Sequence, residues 1–156
     1  MKKLITLVAT LTLSASVFAE ISVDHPYVRA VPPGQPNSAA FMTLKNNGDK
    51  EVSLVSASTS VAEVAELHAH THEGGMMKMR RVAEMTIPAN DQVELQPGGL
   101  HIMLIGLKQA LVKDQTIDLT LNFSDGSSEK LDLNVTDVMS GMGNMQMHKG
   151  MKKQTP

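Results

Sequence analysis

Turn-forming residues interrupt this chain about every ten residues, and no apolar stripe of helical period runs through the segments they leave. The breaks are Pro32-Pro33-Gly34, Asn46-Asn47-Gly48-Asp49, Glu73-Gly74-Gly75, Pro88, Pro97-Gly98-Gly99 and Ser124-Asp125-Gly126-Ser127. Each groups residues that tolerate positive φ, fix φ, or bond locally to the backbone. The segments between them are β-branched or alternate apolar with polar: 27–30, 39–44, 52–57, 65–71, 76–82, 85–87, 92–95, 100–105, 116–123 and 130–135. Alternation of this kind suits strands, whose successive side chains face opposite sides of a sheet. Roughly nine short strands at this spacing predict an all-β fold, an antiparallel sandwich or Greek-key β-barrel. One stretch points elsewhere: Ser60 and Glu63 have the spacing of a capping box, which predicts a short helical turn over 60–66.

The two ends stand outside this pattern. Met1-Lys2-Lys3 is a basic start, Leu4 to Val17 is apolar or small, and Val17-Phe18-Ala19 offers small side chains around a cleavage point. Residues 1–19 therefore read as a secretory signal peptide, with Glu20 as the mature start and the periplasm as the expected destination. The apolar run falls short of the ~20 residues a membrane span needs. No later segment is long and apolar enough, so no membrane span is expected after signal removal. Residues 20–138 read as one domain. Residues 139–156, GMGNMQMHKGMKKQTP with its preceding Met139-Ser140, read as a flexible Met/His/Lys-rich tail.

Composition then excludes several classes of function. There is no Cys, hence no disulfide framework, thiolate zinc site, iron–sulfur cluster or Cys nucleophile, and no blue-copper centre. Aromatics are 3%, too few for a base-stacking platform, and the formal net charge of −2 argues against a phosphate-backbone binder. No nucleic-acid partner is expected. What remains conspicuous is 12 Met and 6 His. Thioether and imidazole are the soft and borderline metal ligands left once thiolate is gone.

Four of these residues have geometry that suits a metal. His101 and Met103 lie two apart in one strand, so they face the same side. A two-residue loop at Glu73-Gly74 sets His72 opposite Gly75 and, counting back, His68 opposite Met79. Directly opposed residues have Cβ atoms only ~5 Å apart. Two imidazoles and two thioethers favour Cu(I) over zinc, whose sites use Cys, His and carboxylate. His70 and His72 alternate with His68 and share its face, so pattern alone does not choose among the three. Met76 and Met77, near the turn, are further candidates as ligands or as exposed apolar contacts.

The spacing His68-x10-Met79-x21-His101-x-Met103 resembles the H-x10-M-x21-H-x-M signature of the periplasmic copper chaperone family PCu(A)C. Val28-Arg29-Ala30 with Pro32-Pro33-Gly34, Ser38-Ala39-Ala40-Phe41, the Asn46–Asp49 turn and Leu95-Gln96-Pro97-Gly98-Gly99-Leu100-His101-Ile102-Met103-Leu104 resemble that family too, over about residues 21 to 137. The resemblance selects His68 over its neighbours. It implies a cupredoxin-like barrel, Cu(I) held by His68, Met79, His101 and Met103, and transfer of copper to an oxidase subunit, often its CuA centre, or to another periplasmic copper carrier.

The same reading gives a carrier and not an enzyme: the sequence offers no nucleophile-and-base pairing and no catalytic carboxylate pair with a local signature. A periplasmic copper buffer for metal tolerance is the rival, since it uses the same ligands. In the tail, Met142, Met145, Met147, His148 and Met151 form an expected auxiliary copper site, binding Cu(I) through thioethers or Cu(II) partly through His148.

Overall fold

The computed structural model describes residues 21–137. The expected signal peptide and tail, including Met142, Met145, Met147, His148 and Met151, lie outside the described residues. Ten strands follow in chain order: β1 (Ile21–Arg29), β2 (Asn37–Asn46), β3 (Val52–Ser58), β4 (Ala62–Glu73), β5 (Met76–Arg81), β6 (Met85–Ile87), β7 (Asp91–Leu95), β8 (His101–Leu107), β9 (Thr116–Phe123) and β10 (Ser128–Thr136). No helix among the described residues is long and apolar enough to cross a membrane. The fold is all-β, as the turn spacing predicts.

Seven strands close a barrel in the order β3-β4-β8-β2-β1-β10-β9, which returns to β3. The seam between β3 and β4 is a single register pair, Ala57 with Ala65. β5 extends β4, β6 extends β3, and β7 continues along the edge of β2 beyond the end of β8. Among the described residues the strand-to-strand pairings are antiparallel except one: β1 and β10 run parallel, with Tyr27 opposite Asn134 and Arg29 opposite Thr136. An antiparallel pattern alone does not anticipate that pair, because first and last strands meet only when the barrel closes.

Alternation decides what faces the core. Ala40, Met42 and Leu44 of β2, Ile102 and Leu104 of β8, and Leu119 and Leu121 of β9 point inward and are buried. Residues between them face outward. β1 breaks its alternation in the middle, where its register with β2 shifts between Asp24 and Tyr27, beside Pro26 and with His25 at φ 50°. Proline cannot donate to a ladder, so a bulge is the ordinary way for a strand to contain one.

The expected helical turn over 60–66 is not formed, and β4 runs unbroken from Ala62. The Ser60 hydroxyl, which a capping box needs, instead donates to Asp118, whose carboxylate also accepts the Ser60 N–H at 3.1 Å. Six register pairs with β8, from Ala62 to His68, and burial of Leu67 then hold the segment extended. Packing overrides a weak local preference of this kind.

Candidate metal centre

The candidate residues gather on the outer face of one wall, built from β2, β8, β4 and β5. Leu67, Ile102 and Ala40 fill the core side of that wall. Their neighbours His68, His101, Met103 and Ala39 therefore share the opposite side. Register ties them together: His68 stands opposite His101, Glu66 opposite Met103, and Met103 opposite Ala39. The rings of His68 and His101 have centroids 5.8 Å apart.

The hairpin places Met79 differently from the sequence expectation. Glu73 pairs with Met76, so the loop is Gly74-Gly75 and not Glu73-Gly74. Both glycines have positive φ, 61° and 80°, as a tight two-residue hairpin turn requires at both central positions. The register moves by two residues, which preserves the face but changes the partner. Met79 lies opposite His70, and His68 lies opposite Arg81. The expected His68–Met79 pair is thus a diagonal neighbour and not a direct one.

A cleft of about 610 Å³ opens on this face and is lined by His70, Met79, His101 and Met103, with Arg29 and Phe41 on its β1–β2 side. Its floor is protected. His101 is only 2% exposed, with the Phe41 ring at 6.3 Å and the His70 ring at 5.3 Å. Phe41 in turn packs against Tyr27 at 5.2 Å and lies under the Arg29 guanidinium at 5.6 Å. Its rim is open: Met79 is 44% exposed.

Hydrogen bonds fix the imidazoles. The 96–100 loop turns back on itself through Gly99 N–H to Gln96 O and Gln96 N–H to Leu100 O. This aims the Gly99 carbonyl at the site, where it accepts from His101 Nδ1 at 3.0 Å and lies 3.3 Å from His70 Nδ1. With Nδ1 protonated, His101 keeps Nε2 as its free lone pair. His68 is held the other way round. Its Nε2 donates to Glu66 Oε2 at 2.9 Å, which leaves Nδ1 as the lone pair. That nitrogen is buried and has no hydrogen-bond partner among the described residues. A buried ring nitrogen without a hydrogen-bond partner fits an electrophile such as a metal ion better than it fits a finished core.

Electrostatics favour the uncharged form of His101 and the ionised form of Glu66. Burial pushes the His101 pKa below the ordinary imidazole value; the Gly99 carbonyl opposes this, and His70, His68 and Arg29 add to it. The Glu66 carboxyl is held below its usual range, chiefly by the His68 hydrogen bond. Among the described residues, no group of three or more His, Asp or Glu is placed to hold an ion.

Sequence reasoning named all four motif residues and weighed His70. It did not place Glu66 or Arg29 at the site. Glu66 was findable, since it sits two before His68 and so shares its face.

Three comparisons bear on this arrangement. The family model described as LpqE-like lipoprotein matches residues 21–135. A Leifsonia xyli subsp. xyli protein whose name calls it a lipoprotein is 37% identical over 118 residues, spanning 75% of this chain and 70% of that protein. An uncharacterized Rickettsia prowazekii protein is 30% identical over 102 residues, spanning 65% of this chain and 56% of the relative. Among solved structures, Cu(I)-bound DR1885 of Deinococcus radiodurans is 36% identical, with TM-score 0.63, over 83% of this chain and 85% of that one. The copper-bound PCuAC domain of PmoF2 superposes with TM-score 0.65 over 76% and 93% of the two chains. At 20% identity that likeness speaks for the cupredoxin-like fold alone.

Proposed function

This chain belongs to the LpqE-like family, and from that premise we propose that it is a copper carrier that binds Cu(I) through His68, Met79, His101 and Met103. The observation that carries the reading is the soft donor set of the cleft: two thioethers beside an imidazole 2% exposed, in a chain without Cys. The likeness to the Cu(I)-bound Deinococcus protein supports it. Export to the periplasm fits the basic and apolar start of the sequence and the lipoprotein name of a relative.

The geometry suits holding an ion and releasing it. Uncharged imidazole and thioether need lose no proton to bind, and no thiolate bond has to break on release. His101 anchors the floor through its fixed Nε2 lone pair. His68 stands beside His101, outside the cleft lining itself, and offers its buried Nδ1 with the ring braced by Glu66. Met79 sits at the open rim, where an acceptor's ligands can replace it first. Nothing in this sequence of exchanges asks for turnover of a substrate, so the chain acts as a carrier and not as an enzyme. The acceptor in this reading is the copper centre of a respiratory oxidase subunit or another periplasmic carrier. The residues Met142, Met145, Met147, His148 and Met151 stand as an auxiliary copper site.

The test is a Cu(I) titration against a competing chelator, beside Met103→Ala. One tight equivalent that weakens at least about tenfold in the variant, with the barrel intact, is expected. Binding indifferent to Met103 sinks the site. Transfer from the loaded chain to an apo-oxidase copper domain separates carrier from buffer; a buffer keeps its copper.

A further inference from the structure

The carrier reading uses only the inner part of the β4–β5 hairpin. On β4, His68, His70 and His72 share one face. On β5, Met77, Met79 and Arg81 share that same face, because His72 stands opposite Met77 and His70 opposite Met79. The charges that the hairpin tip carries lie on the other side: Glu73 pairs there with Arg80 at 2.7 Å and Lys78 at 3.6 Å. At the tip, alternation has thus sorted soft neutral donors from bound charges; Arg81, at the base, is the charge that shares the donors' face and lies 3.7 Å from Glu66.

The pairing is also of the closer kind. Val82 N–H donates to Leu67 O at 2.8 Å. In an antiparallel ladder the hydrogen-bonded and non-hydrogen-bonded pairs alternate, so the pairs at His68, His70 and His72 are of the latter type. Their Cα atoms approach to ~4.5 Å and their side chains are nearest. The Gly74-Gly75 turn has no spare residue with which to slip this register. The rungs differ in exposure: Met77 is 52% exposed and His72 is exposed, while His101 at the inner end is 2% exposed. Among the described strands β5 pairs only with β4, which leaves its outer edge approachable.

We propose that His72 and Met77 form a second Cu(I) site, an outer landing rung from which the ion steps to His70–Met79 at the rim of the cleft and then inward to His101 and Met103. The proposal rests on copper being the cargo. One imidazole and one thioether supply soft donors suited to Cu(I), but two ligands hold it more weakly than four, as a loading position requires. The ion stays Cu(I) throughout; each step exchanges one ligand for the next, and no electron or proton moves.

The experiment follows the methyl groups of 13C-labelled methionine in the chain from Glu20 to Pro156 during anaerobic Cu(I) addition. Met79→Leu, Met103→Leu and Met77→Leu identify the three signals. Met79 and Met103 are expected to shift and saturate with the first equivalent, and Met77 with a later one. His72→Ala should weaken the Met77 response about tenfold or more while leaving the Met103 curve unchanged. A Met77 signal that stays still overturns the second site, as does one that moves in step with Met103 or responds equally in His72→Ala. If Met77 responds as expected while Met79 and Met103 do not move, the hairpin site stands and the cleft reading fails.

Discussion

Asn46→Ala tests how the turn after β2 is held. Asn46 is 1% exposed at the end of that strand. Its side-chain amide donates to Lys50 O at 2.7 Å and to Ile87 O at 3.1 Å, and its Oδ1 accepts the Gly48 N–H at 3.0 Å. One side chain thus closes the turn and ties it to β6. Alanine removes all three bonds. Each is worth about 1 kcal/mol net, and the loss of a buried donor to the Ile87 carbonyl adds a desolvation penalty of similar size. The expected loss is about 2–4 kcal/mol, a large share of a stability of about 5–15 kcal/mol. For a domain of this size that lowers Tm by roughly 6–20 °C. Urea unfolding followed by far-ultraviolet circular dichroism measures it, with an unchanged m-value confirming that the same surface unfolds. Asn46→Asp keeps the acceptor for Gly48 but turns the donor into an acceptor that faces two carbonyls, so it should cost at least as much. A loss below about 0.5 kcal/mol in Asn46→Ala, or an aspartate variant as stable as the parent, refutes the reasoning.

Two further outcomes follow from the site and its hairpin. Gly75→Ala meets no steric obstacle, since nothing lies within 4 Å of the added carbon, yet φ of +80° is strained for a side chain. The cost, about 1–2 kcal/mol, should appear as faster amide exchange in β5 with barrel melting nearly unchanged; equal exchange rates count against the turn assignment. Apo stability should also fall with acidity through His101, whose folded pKa is lowered. Above the unfolded imidazole value of about 6.5 both states are neutral. Below it the unfolded chain takes up the proton first, so stability declines until the folded value is passed. His101→Gln should flatten that decline, and an unaltered slope between pH 7.5 and 5.5 assigns it to other groups.

Most strands were legible because turn chemistry and alternation agree along the chain. Near Asn46-Asn47-Gly48-Asp49 and Pro97-Gly98-Gly99, the residues that end strands also make the observed turns. The hairpin register was missed by two because Glu73-Gly74 and Gly74-Gly75 both look like loops. Only the second puts glycine at both positions that need positive φ, and that criterion was available in the sequence. The helical turn over 60–66 failed for a reason no local pattern contains: Asp118, 58 residues away, takes the Ser60 hydroxyl. The same holds for the site. That His101 and Met103 share a face is a property of one strand. That His101 lies beneath Phe41, and that Gly99 aims a carbonyl at it, depends on how three separate segments meet. Glu66 and Arg29 lay in plain view, but nothing in one dimension brings them to the same wall.

The parallel junction of β1 and β10 sets how this domain bears force. Ile21 lies at one end of the junction and Thr136 at the other, because both strands run the same way from their starts. Drawing those two points apart slides one strand along the other, so that Tyr27–Asn134, Val28–Val135 and Arg29–Thr136 are loaded together and not peeled in turn. A ladder strained in shear fails all at once, and resistance of that kind is governed by the unfolding barrier rather than by equilibrium stability. The last of those pairs ends at Arg29, on the side of the cleft, so the mechanical clamp of the barrel borders that cleft.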